Sequence, residues 1–183
     1  MIEELARLNP ARYGFTQAEF DGLVAQCRVL RAWFYMRLLD AFRNVPYVVS
    51  FNDQSKNTET QVEPKRIFRL IEDELKDCID LVSENGPSVG AGQWTRGGVA
   101  AFLVRLYLNA EVYIGEKHYD DCETYAQELL KGTYGRYSVA DRWDAAFDWD
   151  NDKCDEVIFA FPAASGYTSW HYDFYWHTVP ANS

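Results

Sequence analysis

No run of about 18 consecutive apolar residues occurs in this sequence, so no segment suits a membrane-crossing helix. Basic residues are scarce. Eighteen Lys and Arg stand against 28 Asp and Glu, a formal charge of −10 and a pI near 4.7. A phosphate backbone is bound by clustered Lys and Arg, so nucleic acid is excluded as an expected partner. The four cysteines, Cys27, Cys78, Cys122 and Cys154, are spread singly, without a CxxC pair or a Cys/His cluster at zinc spacing. They read as small, buried apolar side chains. His118, His171 and His177 form no metal-ligand constellation. No nucleophile elbow, phosphate loop, HExxH helix or Ser/His/Asp order is present. The expectation is a protein without metal, without cofactor and without catalysis. The N-terminus lacks a basic stretch followed by an apolar one, so no signal peptide is read there. With Val179–Ser183 closing on no element, the chain is expected to be an internal portion of a longer protein.

What is present is a globular composition in 183 residues, with 48% hydrophobic and 25% charged residues. The length suits roughly one domain, at about 100–200 residues each. The aromatic share is 16%, from 11 Phe, 12 Tyr and 6 Trp. Four helices are legible. Thr16 with Glu19 forms a capping box for a helix over about 17–43. Its apolar residues Phe20, Leu23, Val24, Cys27, Leu30, Phe34, Leu38 and Phe42 predict the core face, with Asn44 as the residue past its end. A short extended piece is expected at Tyr47–Phe51 and a loop over 52–61. Pro64 opens a second helix to about Ser83, with its face on Ile67, Phe68, Ile71, Leu75, Cys78, Ile79 and Val82. Thr95 caps a third over about 96–114, apolar nearly all round and so sandwiched between neighbours. A fourth, over about 119–131, follows closely enough to make an antiparallel hairpin with the third. Gly97-Gly98 reads as a point of close approach. Residues 142–147 suggest one helical turn, and Glu156–Phe161 a strand.

Within the hairpin, Leu106, Ala110 and Tyr113 meet the spacings of a tetratricopeptide repeat, and Cys122 supplies the small residue at the helix crossing. Asn109 and Leu129 depart from that pattern. Other strings carry a wider likeness. Leu30-Arg31-Ala32-Trp33-Phe34-Tyr35 with Asp40-Ala41-Phe42 and Asn44-Val45-Pro46, then Pro64 through Ile79, then Thr95 through Gly115, then Glu156-Val157-Ile158-Phe159-Ala160, resemble successive segments of the SusD/RagB family in order and rough spacing. The resemblance covers about residues 21–162. It implies an all-α fold of tetratricopeptide-like antiparallel helix pairs with a short strand and a less regular, aromatic-rich C-terminal segment. Residues 1–162 would be the helical region, and 163–183 the truncated start of the irregular ligand-binding region. It further implies a surface-exposed outer-membrane lipoprotein of Bacteroidetes-type bacteria, its signal peptide and lipidated cysteine absent from this chain. Such a protein binds glycans without cleaving them and hands them to a TonB-dependent transporter of the SusC type.

Bottom-up, the candidate site is the tail. Tyr167, Trp170, Tyr172, Tyr175 and Trp176 lie there among His171, Asp173 and His177. A sugar ring offers a C–H face to a flat aromatic ring, and its hydroxyl rim to polar neighbours. Those five rings are the expected glycan platform, Trp170 first, since Gly166, Thr168 and Ser169 around it read as exposed loop. The alternative is that they pack beneath a C-terminal half absent from this chain. The acidic run Asp148-Trp149-Asp150-Asn151-Asp152 starts like a calcium loop, but Lys153 and Phe159 stand where Gly and Glu are needed, so a solvated turn is expected. Acid pairs for glycoside hydrolysis cannot be singled out among 28 acids, most of which, such as Glu72, Asp73 and Glu74, are expected to be solvated on helices. A tetratricopeptide-like protein scaffold and an all-α glycosidase remain the rival functions.

Overall fold

The structure, a computed structural model, describes residues 2–48, 60–83, 92–148, 151 and 154–161. The fold is all-α. A short helix α1 (Ile2–Leu5) and a 3-10 turn (Pro10–Tyr13) precede the long α2 (Gln17–Phe42). Strands β1 (Val45–Pro46) and β2 (Gln61–Val62) pair antiparallel, Val45 opposite Val62. Then come α3 (Pro64–Cys78), α4 (Arg96–Leu108), α5 (Ala110–Ile114), α6 (Tyr119–Lys131) and a 3-10 turn (Ala145–Phe147).

Local chemistry explains the boundaries. Thr16 accepts a hydrogen bond from the Glu19 amide at 3.3 Å, and its own amide donates to the Glu19 carboxylate at 2.8 Å. Two orphan donors of the helix start are thereby satisfied, and the Thr16 donors hold the Glu19 carboxyl below its ordinary value. At the other end Arg43, not Asn44, takes the positive φ, 62°. Its guanidinium donates to the carbonyls of Leu39 at 2.9 Å and Asp40 at 2.7 Å, satisfying two acceptors left over at the C-terminus. The strand pairing lies one step before the extended piece expected at Tyr47–Phe51, and Gln61 belongs to it rather than to a loop. Tyr47 is instead held by its ring against Tyr35, whose hydroxyl accepts from the Val48 amide at 2.8 Å.

Two antiparallel pairs, α2 with α3 and α4 with α6, stack through α3 against α4 and α5. The α3 face is the expected one: Ile67, Phe68, Ile71, Leu75, Cys78, Ile79 and Val82 are all buried. The helix itself stops at Cys78, five residues short of the expected end, and a turn carries the chain to Val82. The third expected helix is broken at Asn109, whose side-chain amide donates to the Arg105 carbonyl at 2.8 Å. An asparagine competing for that carbonyl divides α4 from α5. Asn109 is also where the repeat pattern departs from its usual Leu. Cys122 does sit at a close helix crossing, its thiol 3.5 Å from the Val104 carbonyl.

The core face of α2 is not the expected one. Ala25, Val29, Ala32, Met36 and Leu39 are buried together with Phe20, while Phe34 is 55% and Phe42 69% exposed, and Leu23 and Leu38 are exposed too. The helix carries two apolar stripes on nearly opposite sides. The stripe with two alanines admits α3 closely, and the bulky stripe faces out.

The interior sets the titration behaviour. Cys78 is fully buried, and burial pushes its thiol from 9.0 up to about 11. Burial, with the hydrogen bond donated to Glu72 at 2.7 Å, also raises the Tyr107 phenol. Both acids hold their protons more tightly folded than unfolded. Their contribution is complete below the unfolded values and declines as pH rises past them. The urea midpoint is therefore expected to fall above about pH 9. At pH 8, iodoacetamide should leave Cys78 unmodified in the native chain while the half-buried Cys27, Cys122 and Cys154 react. Modification of Cys78 at the same rate would contradict its placement.

Candidate functional site

All five tail rings expected to touch sugar, Tyr167, Trp170, Tyr172, Tyr175 and Trp176, lie outside the described residues. What the structure describes is the base from which that tail departs. Trp94 is its centre. The Gln26 side-chain amide on α2 donates to the Trp94 carbonyl and accepts from the Trp94 amide, both at 2.7 Å. One side chain thus mimics a strand partner and fixes the backbone before α4. Thr95 follows as the N-cap, accepting from the Gly98 amide at 3.1 Å. Two glycines in the first turn leave room. A Cβ on Gly97 would collide with the Tyr137 ring, and one on Gly98 would lie 3.5 Å from the Trp94 ring and 3.7 Å from the Phe159 Cβ. The expected close approach is real.

Phe159 stacks face to face on Trp94, centroids 3.9 Å apart and planes 6° from parallel. Phe161 meets the edge of Trp33 on α2 at 4.8 Å. Trp33 in turn touches Phe34 and carries the Arg37 guanidinium over its ring at 5.9 Å. Residues 156–161 are therefore not the strand the sequence suggests. No ladder partner stands beside them among the described residues. Ring stacking holds them instead, helped by the Ser138 amide donating to the Asp155 carbonyl at 3.2 Å.

The acids expected to be solvated are only partly so. Asp73 is exposed. The Glu74 side chain, 16% exposed, receives Arg28 at 3.0 Å and Arg31 at 2.8 Å. Glu72 accepts from the Tyr107 hydroxyl at 2.7 Å and pairs with Lys76. Both Glu74 oxygens and the Oε1 of Glu72 are thereby occupied by neighbouring donors. His118 stacks on Tyr107 and meets Phe68 at a tilt, its Nδ1 2.9 Å from Asp121. Cys27, Cys78, Cys122 and Cys154 are all free thiols. Among the described residues no group of three or more His, Cys, Asp or Glu is placed to hold a metal ion. Of the acidic run, Asp148 approaches Arg142 at 3.6 Å and Asn151 donates to the Ala146 carbonyl at 3.2 Å, the contacts of a turn. The helical turn expected over 142–147 is a 3-10 turn over Ala145–Phe147.

Trp143 escaped the sequence reading. It is 86% exposed, beside Phe147 at 81%, on a turn braced by Arg142 clasping Asp144 at 2.9 and 2.7 Å. The signal available was a Trp set between charged residues, Asp141-Arg142-Trp143-Asp144, where no apolar period runs.

No protein-family model matches the chain. It is 28% identical over 145 residues to the starch-binding protein SusD of Bacteroides thetaiotaomicron, an alignment of 79% of this chain and 25% of SusD. Among solved structures it is similar to a laminarin-binding SusD-like protein, at TM-score 0.70 and 21% identity over 86% of this chain and 33% of that one. NanU of Bacteroides fragilis gives TM-score 0.71 at 15% identity, over 90% and 32%. Surface glycan-binding protein A of Bacteroides uniformis gives 0.68 at 19%, over 86% and 34%. The chain spans about a quarter of the length of the curated relative and about a third of each solved structure. Over most of its length the chain is similar in sequence to SusD, and its fold is similar to that of SusD-like proteins.

Proposed function

We propose that this chain is part of a glycan-binding protein of the bacterial cell surface, which holds an oligo- or polysaccharide without altering it covalently. The carrying observation is the 28% identity to a starch-binding protein across 145 residues. Two of the structural neighbours are also named for laminarin or surface-glycan binding. In the intact protein, an outer-membrane lipoprotein of the SusD/RagB type, the bound glycan passes to a TonB-dependent transporter. Rings supply the contact. Trp170 leads among Tyr167, Tyr172, Tyr175 and Trp176, and Trp143 adds an exposed indole flanked by an Arg–Asp pair. Stacking takes the apolar face of the sugar, and the charged neighbours take its hydroxyls.

Affinity electrophoresis through gels carrying plant and host polysaccharides tests this reading. The native chain should be retarded by at least one of them. Trp170→Ala should weaken that retardation about tenfold, the loss of about 1.4 kcal/mol expected when one ring stack is removed. Unchanged mobility of Trp170→Ala in the retarding gel would remove Trp170 from the site. Absence of retardation by every glycan, from a folded chain, would favour a tetratricopeptide-like protein scaffold.

A further inference from the structure

Trp143 and Phe147 are more exposed than any other aromatic side chain described. The turn that carries them is nevertheless held firmly. The Ala145 amide donates to the Arg142 carbonyl at 3.2 Å and the Phe147 amide to the Asp144 carbonyl at 2.9 Å. The Arg142 guanidinium grips the Asp144 carboxylate through two hydrogen bonds. The Ala140 amide donates to the Glu156 carboxylate at 3.2 Å, which ties the approach to the turn to the segment stacked on Trp94. An indole kept in water on a braced turn is a surface with little freedom left to lose on binding. Charge narrows the choice of ligand. Residues 141–148 hold three carboxylates, Asp141, Asp144 and Asp148, against the one guanidinium of Arg142, a net charge of −2. The Asp144 and Asp148 side chains are each about two fifths exposed.

We infer that Trp143, with Arg142, Asp144 and Asp148, forms a subsite for neutral glycan chains that discriminates against glycans carrying carboxylate or sulfate groups, a claim that rests on the glycan-binding reading and narrows it to a class of sugar. The indole takes the C–H face of a pyranose ring. The carboxylates accept from its hydroxyls. Each carboxylate oxygen accepts more than one hydrogen bond, so the grip of Arg142 on Asp144 leaves capacity for a sugar. The same grip holds the Asp144 carboxyl below its ordinary value, so it stays an acceptor through the neutral range. An apolar protein surface laid on Trp143 would strip water from these carboxylates and return no hydrogen bond. A uronate or a sulfated sugar would bring like charge to a turn that already holds an excess of it. No residue beyond 161 is needed for this subsite.

Calorimetric titration of the full-length chain tests the subsite, with laminarin, soluble starch and the same two glucans oxidised at C6 to carboxylates as the probes. The native chain should bind at least one neutral glucan, and its oxidised form about tenfold more weakly at low salt, with the gap closing as salt screens the charges. Trp143→Ala should weaken neutral binding about tenfold, and Trp143→Phe less. Asp141→Asn with Asp148→Asn leaves the Arg142–Asp144 pair in place and should narrow the gap between the neutral and oxidised forms. Circular dichroism and the urea midpoint should be unchanged in all of these, since none of the positions belongs to the core. Neutral binding that Trp143→Ala leaves intact would overturn the subsite while the glycan-binding reading stands. An oxidised glucan bound as tightly as its parent would overturn the discrimination. Binding of neither neutral glucan would overturn the subsite too, whereas the wider gel panel decides the glycan reading. A dimer in sedimentation that Trp143→Ala dissociates would assign the indole to a second copy instead.

Discussion

Trp94→Ala should lower the unfolding free energy by about 3–5 kcal/mol, the usual cost of deleting a buried indole. Trp94 is almost wholly buried and meets three rings, Phe159, Phe102 and Phe161. Its removal leaves a void between α4, α2 and the 154–161 segment that no neighbouring backbone can fill. The Gln26 hydrogen bonds would survive, because they reach the Trp94 backbone and not its side chain. The effect should therefore divide. Urea unfolding of the helices should shift, and amide exchange over 154–161 should rise well beyond the global change, because that segment is held mainly by stacking. Trp94→Phe should recover part of both. If exchange at 154–161 rises no more than elsewhere, ring stacking is not what fastens it. The functional consequence follows from position, since every ring expected to contact sugar after residue 161 is tethered through this cluster.

Glu74→Ala is the second large effect, expected to cost about 2–3 kcal/mol, somewhat less than the roughly 3–5 kcal/mol of breaking a fully buried ion pair. Glu74 is the common acceptor for Arg28 and Arg31, which join α2 to α3. Those guanidiniums are about a fifth exposed, so water offsets part of the loss, and Asp77 still accepts from Arg28 at 2.8 Å. The hydrogen bonds that Arg28 donates to Glu74, with help from the one to Asp77, outweigh the effect of burial and raise the Arg28 basicity. Glu74→Gln keeps the shape and one acceptor and should lose less. Arg28→Met with Glu74→Leu should recover most of the loss, since a removed pair leaves no lone charge behind. A Glu74→Ala midpoint within experimental error of wild type would show the network to be a surface feature.

Where one residue type had one role, the helices could be read before the structure. The Thr16–Glu19 box, Pro64, Thr95 and the strict period of α3 each fix a boundary or a face through local chemistry. The long α2 failed in an instructive way. Its bulky stripe has the stronger helical spacing by size, but burial went to the stripe with Ala25 and Ala32, since small side chains let α3 approach. Periodicity finds a stripe and cannot tell which of two is inward. Glu74 read as solvated because its partners, Arg28 and Arg31, are distant in sequence. The Gln26 clasp on Trp94 left no sequence signal at all, as it joins a side chain to a backbone 68 residues away. Glu156–Phe161 has strand composition, yet stacking on Trp94 and Trp33 takes the place of a ladder. For the site, the sequence marks the tail rings by density, while the Trp143 indole came forward only through its exposure.

Holding a glycan and leaving it whole is the function we propose for this chain. The most direct test mixes the folded chain with a panel of insoluble polysaccharides, sediments each mixture, and measures pelleted protein and released reducing ends in the same tube. Protein is expected in the pellet with at least one polysaccharide, and reducing ends at the level of the protein-free control. Protein left in every supernatant would contradict binding, and reducing ends rising with time would make the chain a hydrolase.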